Sequence, residues 1–387
     1  MEPYEKIYVS RAFLESEHGQ IGCTACHGGD PSRHDWQSAH RGLVKDPTWP
    51  DPQKACGECH ADITATAAAS RHYTIAGLGR AIATRMGPAP DDVRQALEGA
   101  RQKHCSQCHA SCGQCHVSRP DYVHGGFLAQ HRFQRTPPME TTCASCHGGR
   151  VFGEFTGQDA KVPADTHFES AEMACRDCHG AEGMHAAAED GTNRFQSPLR
   201  PRCEGCHPLD AEGMTSDIHR THDRKLACQV CHARAVKNCF GCHVGTDDRG
   251  LAYYKCKETR LDFKIGRNPN PGPDRPYTFV VVRHVPIAPD TFAHYAPSAL
   301  KHFDARPTWK LDAPHTIGRR TPQNAACNNC HGNRRLFLAP ADLAAWEVAA
   351  NRAVVVADEH LPAAVAEPEA TPNARPAAGR PQKGGSQ

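Results

Sequence analysis

The chain has 387 residues, and its 45 Lys and Arg against 43 Asp and Glu leave a formal charge of +2, which gives no reason to expect nucleic acid as a partner. Hydrophobic residues make up 39% and aromatics 6%, beside 30 prolines, 32 glycines, 26 histidines and 21 cysteines. That is too few large apolar side chains for one or two ordinary cores and far too much cysteine for an ordinary cytosolic enzyme, so something other than side chains must fill the interior.

In chain order, the N-terminus MEPYEKIYVSRAF is polar and lacks the charged, apolar and small-residue succession of a signal peptide. No stretch approaches the ~20 apolar residues of a membrane span. From residue 23 onward the pentapeptide Cys-x-x-Cys-His recurs ten times. The copies are Cys23–Cys26–His27, Cys56–Cys59–His60, Cys105–Cys108–His109, Cys112–Cys115–His116 and Cys143–Cys146–His147. They continue with Cys175–Cys178–His179, Cys203–Cys206–His207, Cys228–Cys231–His232, Cys239–Cys242–His243 and Cys327–Cys330–His331. Twenty cysteines are used and only Cys256 is left over.

Between the second and third copies, ATAAASRHYTIAGLGRAIATRM and DDVRQALEGARQKH predict helices, the second running straight into the third copy. Residues 244–326 carry no copy. There TFVVVRHVPI, a β-branched run, predicts a strand. Prolines in NPNPGPDRP and APHTIGRRTP predict a loop-rich lobe that folds back over the sites of the earlier pentapeptides, or else stands as a plain structural lobe. His284, His294, His302 and His315 suit the first role. After the tenth copy, PADLAAWEVAANRAVVV predicts a closing helix with Pro340 in its first turn. Residues 361–387 hold no aromatic and five prolines and predict a disordered tail. The natural divisions are 1–117 (four copies), 118–243 (five copies), the lobe 244–326, 327–360 with the tenth copy and closing helix, and the tail 361–387.

Paired Cys-x-x-Cys units also occur in Cys₄ zinc sites and in disulfide frameworks. Neither requires a histidine directly after every second cysteine, whereas covalent attachment of c-type haem does. On a helical turn, positions i, i+3 and i+4 share a face, so two thiols and the imidazole reach one macrocycle together. Glycine follows in His27-Gly28-Gly29, His147-Gly148-Gly149, His179-Gly180 and His331-Gly332, and predicts a helix that stops at its haem. Only Ala110 and Ser111 separate the third and fourth copies, at most ~11 Å from His109 to Cys112, so those two sites lie in or near contact. The expected architecture is mostly α and irregular, with short haem-binding helices, a haem-packed core and a small loop- and β-rich haem-free lobe. Such a chain without haem should be largely unfolded.

Ten bound irons would each need a sixth ligand. Of the sixteen histidines outside the motifs, the distal candidates are His18, His40, His72, His131, His167, His185, His219, His222, His284 and His315. His185 follows His179 by six residues, which suits handing a ligand to a neighbouring site, and His219 with His222 is an i, i+3 pair. His34, His104, His124, His294, His302 and His360 are the second choices.

The stretches CHGGDP, CSQCHASCGQCHVSRP, LACQVCHARAVKNCFGCHVG and RHVPI…PHTIGRRTPQNAACNNCHG resemble multihaem cytochromes c of bacterial respiration, in the group of octahaem tetrathionate reductase-like and hydroxylamine oxidoreductase-like cytochromes. The resemblance spans residues ~18–350 and departs from that group in having ten motifs and no Cys-x-x-Cys-Lys. It implies ten covalent c-type haems, extracytoplasmic (periplasmic or extracellular) placement, and redox partner proteins such as a quinol-oxidising donor, a terminal reductase or other cytochromes, with a peripheral membrane complex as one setting for them. Two functions are open at this point. One is an electron carrier in anaerobic respiration. The other is a haem oxidoreductase acting on a small sulfur or nitrogen oxyanion such as tetrathionate or nitrite, or on hydroxylamine. Cys256, flanked by Lys255 and Lys257 whose charges favour a thiolate, is the candidate catalytic group of the second reading. About twenty haem propionates would make the loaded protein more acidic than the bare chain.

Overall fold

Most helices of the chain run only four to seven residues, because glycine, proline and the recurring pentapeptide interrupt every longer apolar pattern. A computed structural model describes residues 3–158, 162–187, 200–210, 216–239, 241–257, 262–273 and 275–366. The tail beyond 366 lies outside the described residues.

The single helix expected over ATAAASRHYTIAGLGRAIATRM is broken, and its second half forms α1 (Ala76–Met86). Its first half falls into two separate short helices, Ala61–Ala67 and Arg71–Thr74, parted where Ser70 caps the second and Ile75 turns to positive φ. Helix α2 (Asp91–His104) stands where the sequence predicts it. Asp91 and Asp92 open α2 and Arg101, Lys103 and His104 close it, each sign on the favourable end of the helix dipole. Met86, Leu97 and Ala100 from this pair form one apolar cluster with Val244, Phe292, Ala296, Ala299, Leu300 and Phe303. The buried Arg85 guanidinium donates to the carbonyls of Arg306 and Pro307 at 3.1 and 3.2 Å. Residues 292–307 therefore do fold back onto an earlier segment.

Among the described residues five strands form two small sheets. An antiparallel hairpin joins β1 (Gly241–Thr246) to β2 (Ala252–Lys257). The second sheet has the order β3 (Lys264–Arg267), β4 (Phe279–His284), β5 (Trp309–Leu311), antiparallel throughout. The expected strand is β4. Its Val280, Val281 and Val282 are all buried, so both faces are covered and the run is continuous rather than alternating. Around it lies the larger apolar core, which draws Ala227, Val230 and Val236 from before the strands and Phe337, Leu338, Val354 and Val356 from after them.

The closing segment differs from its expectation. Pro340 does open a turn, but 340–351 breaks into two 3₁₀ turns (Pro340–Asp342, Ala345–Glu347) and one α-turn (Val348–Asn351). Asp342 accepts from the Ala339 amide at 2.8 Å and Glu347 from the Ala344 amide at 3.1 Å, so each carboxylate restarts a turn instead of continuing one helix. The whole is a mixed helical chain with small sheets and long irregular connections. No helix among the described residues is long and apolar enough to cross a membrane.

Candidate functional site

Nine of the ten pentapeptides lie on a helical turn. The first, fourth and eighth are complete α-turns, Cys23–His27, Cys112–His116 and Cys228–His232. The second closes as its histidine amide bonds back to the first cysteine carbonyl at 2.9 Å, and the sixth, seventh and tenth do the same at 2.8 Å. That bond places both cysteines and the histidine on one side. Gly28 and Gly332 take the positive φ that ends such a turn, at 72° and 69°. Gly148 does not, and the fifth motif runs on through a π-turn to Phe152.

The ninth motif departs from the expected helix: its Cys242 and His243 lie on β1, so these consecutive residues point to opposite faces. Tertiary pairing holds it there. The Cys239 amide donates to the His284 carbonyl at 2.9 Å, Arg283 reaches Cys239 Sγ, and β2 pairs along the whole of β1.

Every motif cysteine is a free thiol and none is buried. Free cysteine is ordinarily among the most buried residue types, yet five of these thiols are exposed and fifteen only partly buried, which marks surfaces shaped for something else.

Eight motif histidines each face one further histidine. The ring-centre separations are 5.9 Å for His27 and His131, 6.1 Å for His60 and His18, 6.0 Å for His116 and His185, and 6.3 Å for His147 and His72. They are 6.4 Å for His179 and His315, 6.0 Å for His207 and His167, 6.3 Å for His232 and His219, and 6.1 Å for His331 and His222. Two imidazoles on opposite sides of one metal need ring centres about 6.3 Å apart, from ~2.0–2.1 Å per metal–nitrogen bond and ~1.1 Å from nitrogen to ring centre. The rings stand at the spacing of a shared ion, too far apart for a bond to each other.

The tautomers are arranged to suit. Nδ1 of His27, His116 and His331 bonds the carbonyl oxygens of Val44, Gln134 and Ala363 at 2.7, 2.7 and 3.0 Å. His222 uses Ile218 O at 2.8 Å and His167 uses Asp165 Oδ1 at 2.8 Å. Each such bond commits Nδ1 and leaves Nε2 free to ligate. Burial holds His72, His147, His179 and His185 below the ordinary imidazole range, and pushes His315 down to about 4, which keeps them in the neutral, ligating form. Burial also raises Cys115, to about 12, so that thiol stays protonated.

Eight of the ten distal candidates thus stand opposite a motif histidine, while His40 and His284 do not. His284 spends its Nε2 on Glu347 Oε1 at 2.6 Å and stacks on Trp309 at 4.9 Å, which takes Nε2 away from any metal. His40 is exposed, its Nδ1 bound to Trp36 O at 2.6 Å. Among the second choices, His104 gives Nε2 to Tyr295 Oη at 2.7 Å and His294 gives Nε2 to Thr246 Oγ1 at 3.0 Å. Lys255 lies over the Tyr253 ring at 5.6 Å. The ladder sets Cys256 opposite Cys242 and Lys257 opposite Gly241, while the side chains of Cys256 and Lys257 lie outside the described residues.

The polar network that seats His315 has no counterpart in any local sequence pattern. Its amide donates to buried Glu154 Oε2 at 3.2 Å, and Glu154 also accepts from the Lys237 amide at 3.0 Å. Arg150 lies 3.4 Å from Glu154 and 3.3 Å from Asp312, and Arg283 lies 3.1 Å from Asp312. These partners are up to 162 residues apart, so no local pattern announces them. No family profile, no curated protein and no solved structure matches this chain.

Proposed function

We propose that the chain is a decahaem c-type cytochrome that carries electrons along a run of haems in extracytoplasmic respiration. The observation that carries the reading is the set of eight imidazole pairs, each joining a Cys-x-x-Cys-His histidine to a second histidine at 5.9–6.4 Å.

The donor count favours haem over zinc. A structural zinc site takes three or four protein donors, and among the described residues no group of three or more His, Cys, Asp and Glu could hold a metal. A haem iron brings four nitrogens and asks the protein for only two. The twenty thiols, none of them buried, are where the thioether bonds would form, and Cys-x-x-Cys-His is the attachment signature. When bound, the group supplies one-electron chemistry at iron. The protein supplies the two imidazoles, their orientation through Nδ1, and the burial that keeps them neutral.

A group held by both imidazoles of a pair would have no place left for a substrate, which suits electron transfer rather than substrate binding. Thioether attachment is completed outside the cytoplasm, which places the protein in the periplasm or beyond, with redox proteins as its partners. The test is intact mass of the purified protein together with low-temperature electron paramagnetic resonance of the ferric state. Ten haem additions and a majority of low-spin bis-imidazole signals are expected. A chain of unmodified mass that holds zinc would overturn the reading.

A further inference from the structure

The eight imidazole pairs share one plan, so what sets one apart from another has to lie behind the rings, at Nδ1. At His27, His116, His331 and His222 that nitrogen meets a backbone carbonyl, and at His232 it meets Gly318 O at 3.2 Å. At His219 it meets the Ser216 hydroxyl at 3.1 Å. At His131 and His315 it is buried with no partner. Only at His167, among the described residues of these pairs, does Nδ1 meet a carboxylate, Asp165 Oδ1, at 2.8 Å.

Asp165 is built into that position. It caps the helix Thr166–Ala171, and its Oδ1 accepts from the His167 amide at 2.9 Å as well as from the ring. Its Oδ2 accepts from the Ile317 amide at 2.7 Å, which ties the carboxylate to a segment 152 residues away. The Asp165 side chain is 3% exposed, and no Lys or Arg pairs with it among the described residues. The Arg234 guanidinium bonds the neighbouring Ala164 carbonyl instead.

A ring N–H held by a buried carboxylate shares its proton, so the imidazole gains anionic character and its Nε2 becomes a stronger donor. Burial strengthens the effect of the charge, because little water screens it. Both effects favour a ferric over a ferrous ion. A neutral carbonyl or hydroxyl does the same more weakly, and an unpartnered Nδ1 does not do it at all.

We propose that Asp165 is a positioning residue that makes the His167–His207 site the one of lowest potential among the eight pairs. That site fills last as the protein is reduced and empties first as it is oxidised. This inference rests on the haem reading above.

The experiment is a potentiometric titration of the holoprotein followed by visible absorption, with low-temperature electron paramagnetic resonance at the poised potentials. Asp165→Asn keeps the size of the side chain and removes its charge. Its most negative bis-imidazole step should move upward, further than any other step, and one low-spin signal should shift. Asp165→Glu restores the charge and should move the step back. His167→Met, with Asp165 intact, should remove the low-spin signal that belongs to the most negative step. Unchanged steps in Asp165→Asn at full haem count would overturn the role of Asp165 and leave the carrier reading standing. So would loss, in His167→Met, of a signal that belongs to any other step. A chain without covalent haem would sink both.

Discussion

Residues 1–225 and 226–366 are built on different principles. The first region carries seven of the ten motifs, the second three. Among the described residues, ten buried apolar side chains lie in the first region and twenty-two in the second. In the second, a β-branched strand is wrapped by Trp309, Phe337, Leu338, Val354 and Val356, as in an ordinary domain. In the first, Ile7, Leu14, Ile21, Trp36, Leu43 and Val44 stay exposed around the earliest motifs. Where the motifs are dense, the polypeptide forms shells facing the positions that apolar macrocycles would fill. Where they are sparse, side chains have to make their own core.

On the haem reading, the comparison breaks most visibly if attachment is removed in one region, as Cys143→Ala with Cys146→Ala would do at the fifth motif. Hydrogen exchange should then show lost protection through residues 105–185 while β3–β5 remain protected. Uniform loss in both regions would mean that the second also depends on haem.

Next in size, Trp309→Ala empties the centre of the second region and should cost about 3–5 kcal/mol in urea unfolding, with the number of bound haems unchanged. A parallel loss of haem would show that the two regions fold as one.

Glu154→Ala tests the seam between them. It strips the Lys237 and His315 amides of their acceptor and leaves Arg150 with Asp312 alone. A cost of about 3 kcal/mol is expected, as for one member of a buried charged group. Changed spectra for the His179–His315 site are also expected.

The same carboxyl predicts a pH effect. Burial holds Glu154 above its usual range, so the folded chain keeps its proton more tightly than the unfolded chain does. Its contribution is complete below about pH 4.5 and is lost as the pH rises through its folded value. The urea midpoint of wild type should therefore fall relative to that of Glu154→Gln between pH 4.5 and 7. A constant difference would show that burial does not raise this group.

The smallest effect is at the two-residue spacer between the third and fourth motifs. Ser111 caps the fourth motif's turn by accepting from the Gln114 amide at 3.2 Å and donates to Asp46 Oδ2 at 2.7 Å. Ser111→Ala should cost about 1 kcal/mol, seen as a shift in Tm with an unchanged haem count.

Much of the site was legible because it is local. Nine motifs sit on the turns that the i, i+3, i+4 spacing calls for, and β4 and α2 follow from propensity and pattern. The ninth motif fails as a helix because β2, Arg283 and the His284 carbonyl hold it in a strand, and those contacts come from up to 45 residues away. The single closing helix fails because Asp342 and Glu347 find nearer amides to cap. His284 looked as good a ligand as His315, and what separates them is a carboxylate, Glu347, that no spacing rule connects to it.

The sequence alone settles that ten Cys-x-x-Cys-His units recur, that each wants a short turn, and that side chains are too few to fill the interior. These are statements about neighbours in the chain, where geometry follows from φ, ψ and residue type. Tertiary structure decides which histidine faces which: His72 crosses to His147, His131 returns to His27, and His315 reaches back to His179. It also sets His109 of the third motif against Trp49 and His243 of the ninth beside Asp290, outside those eight pairs. Such pairings depend on how separate shells pack against each other. One imidazole is like another until the fold has brought a second to within about 6 Å of it.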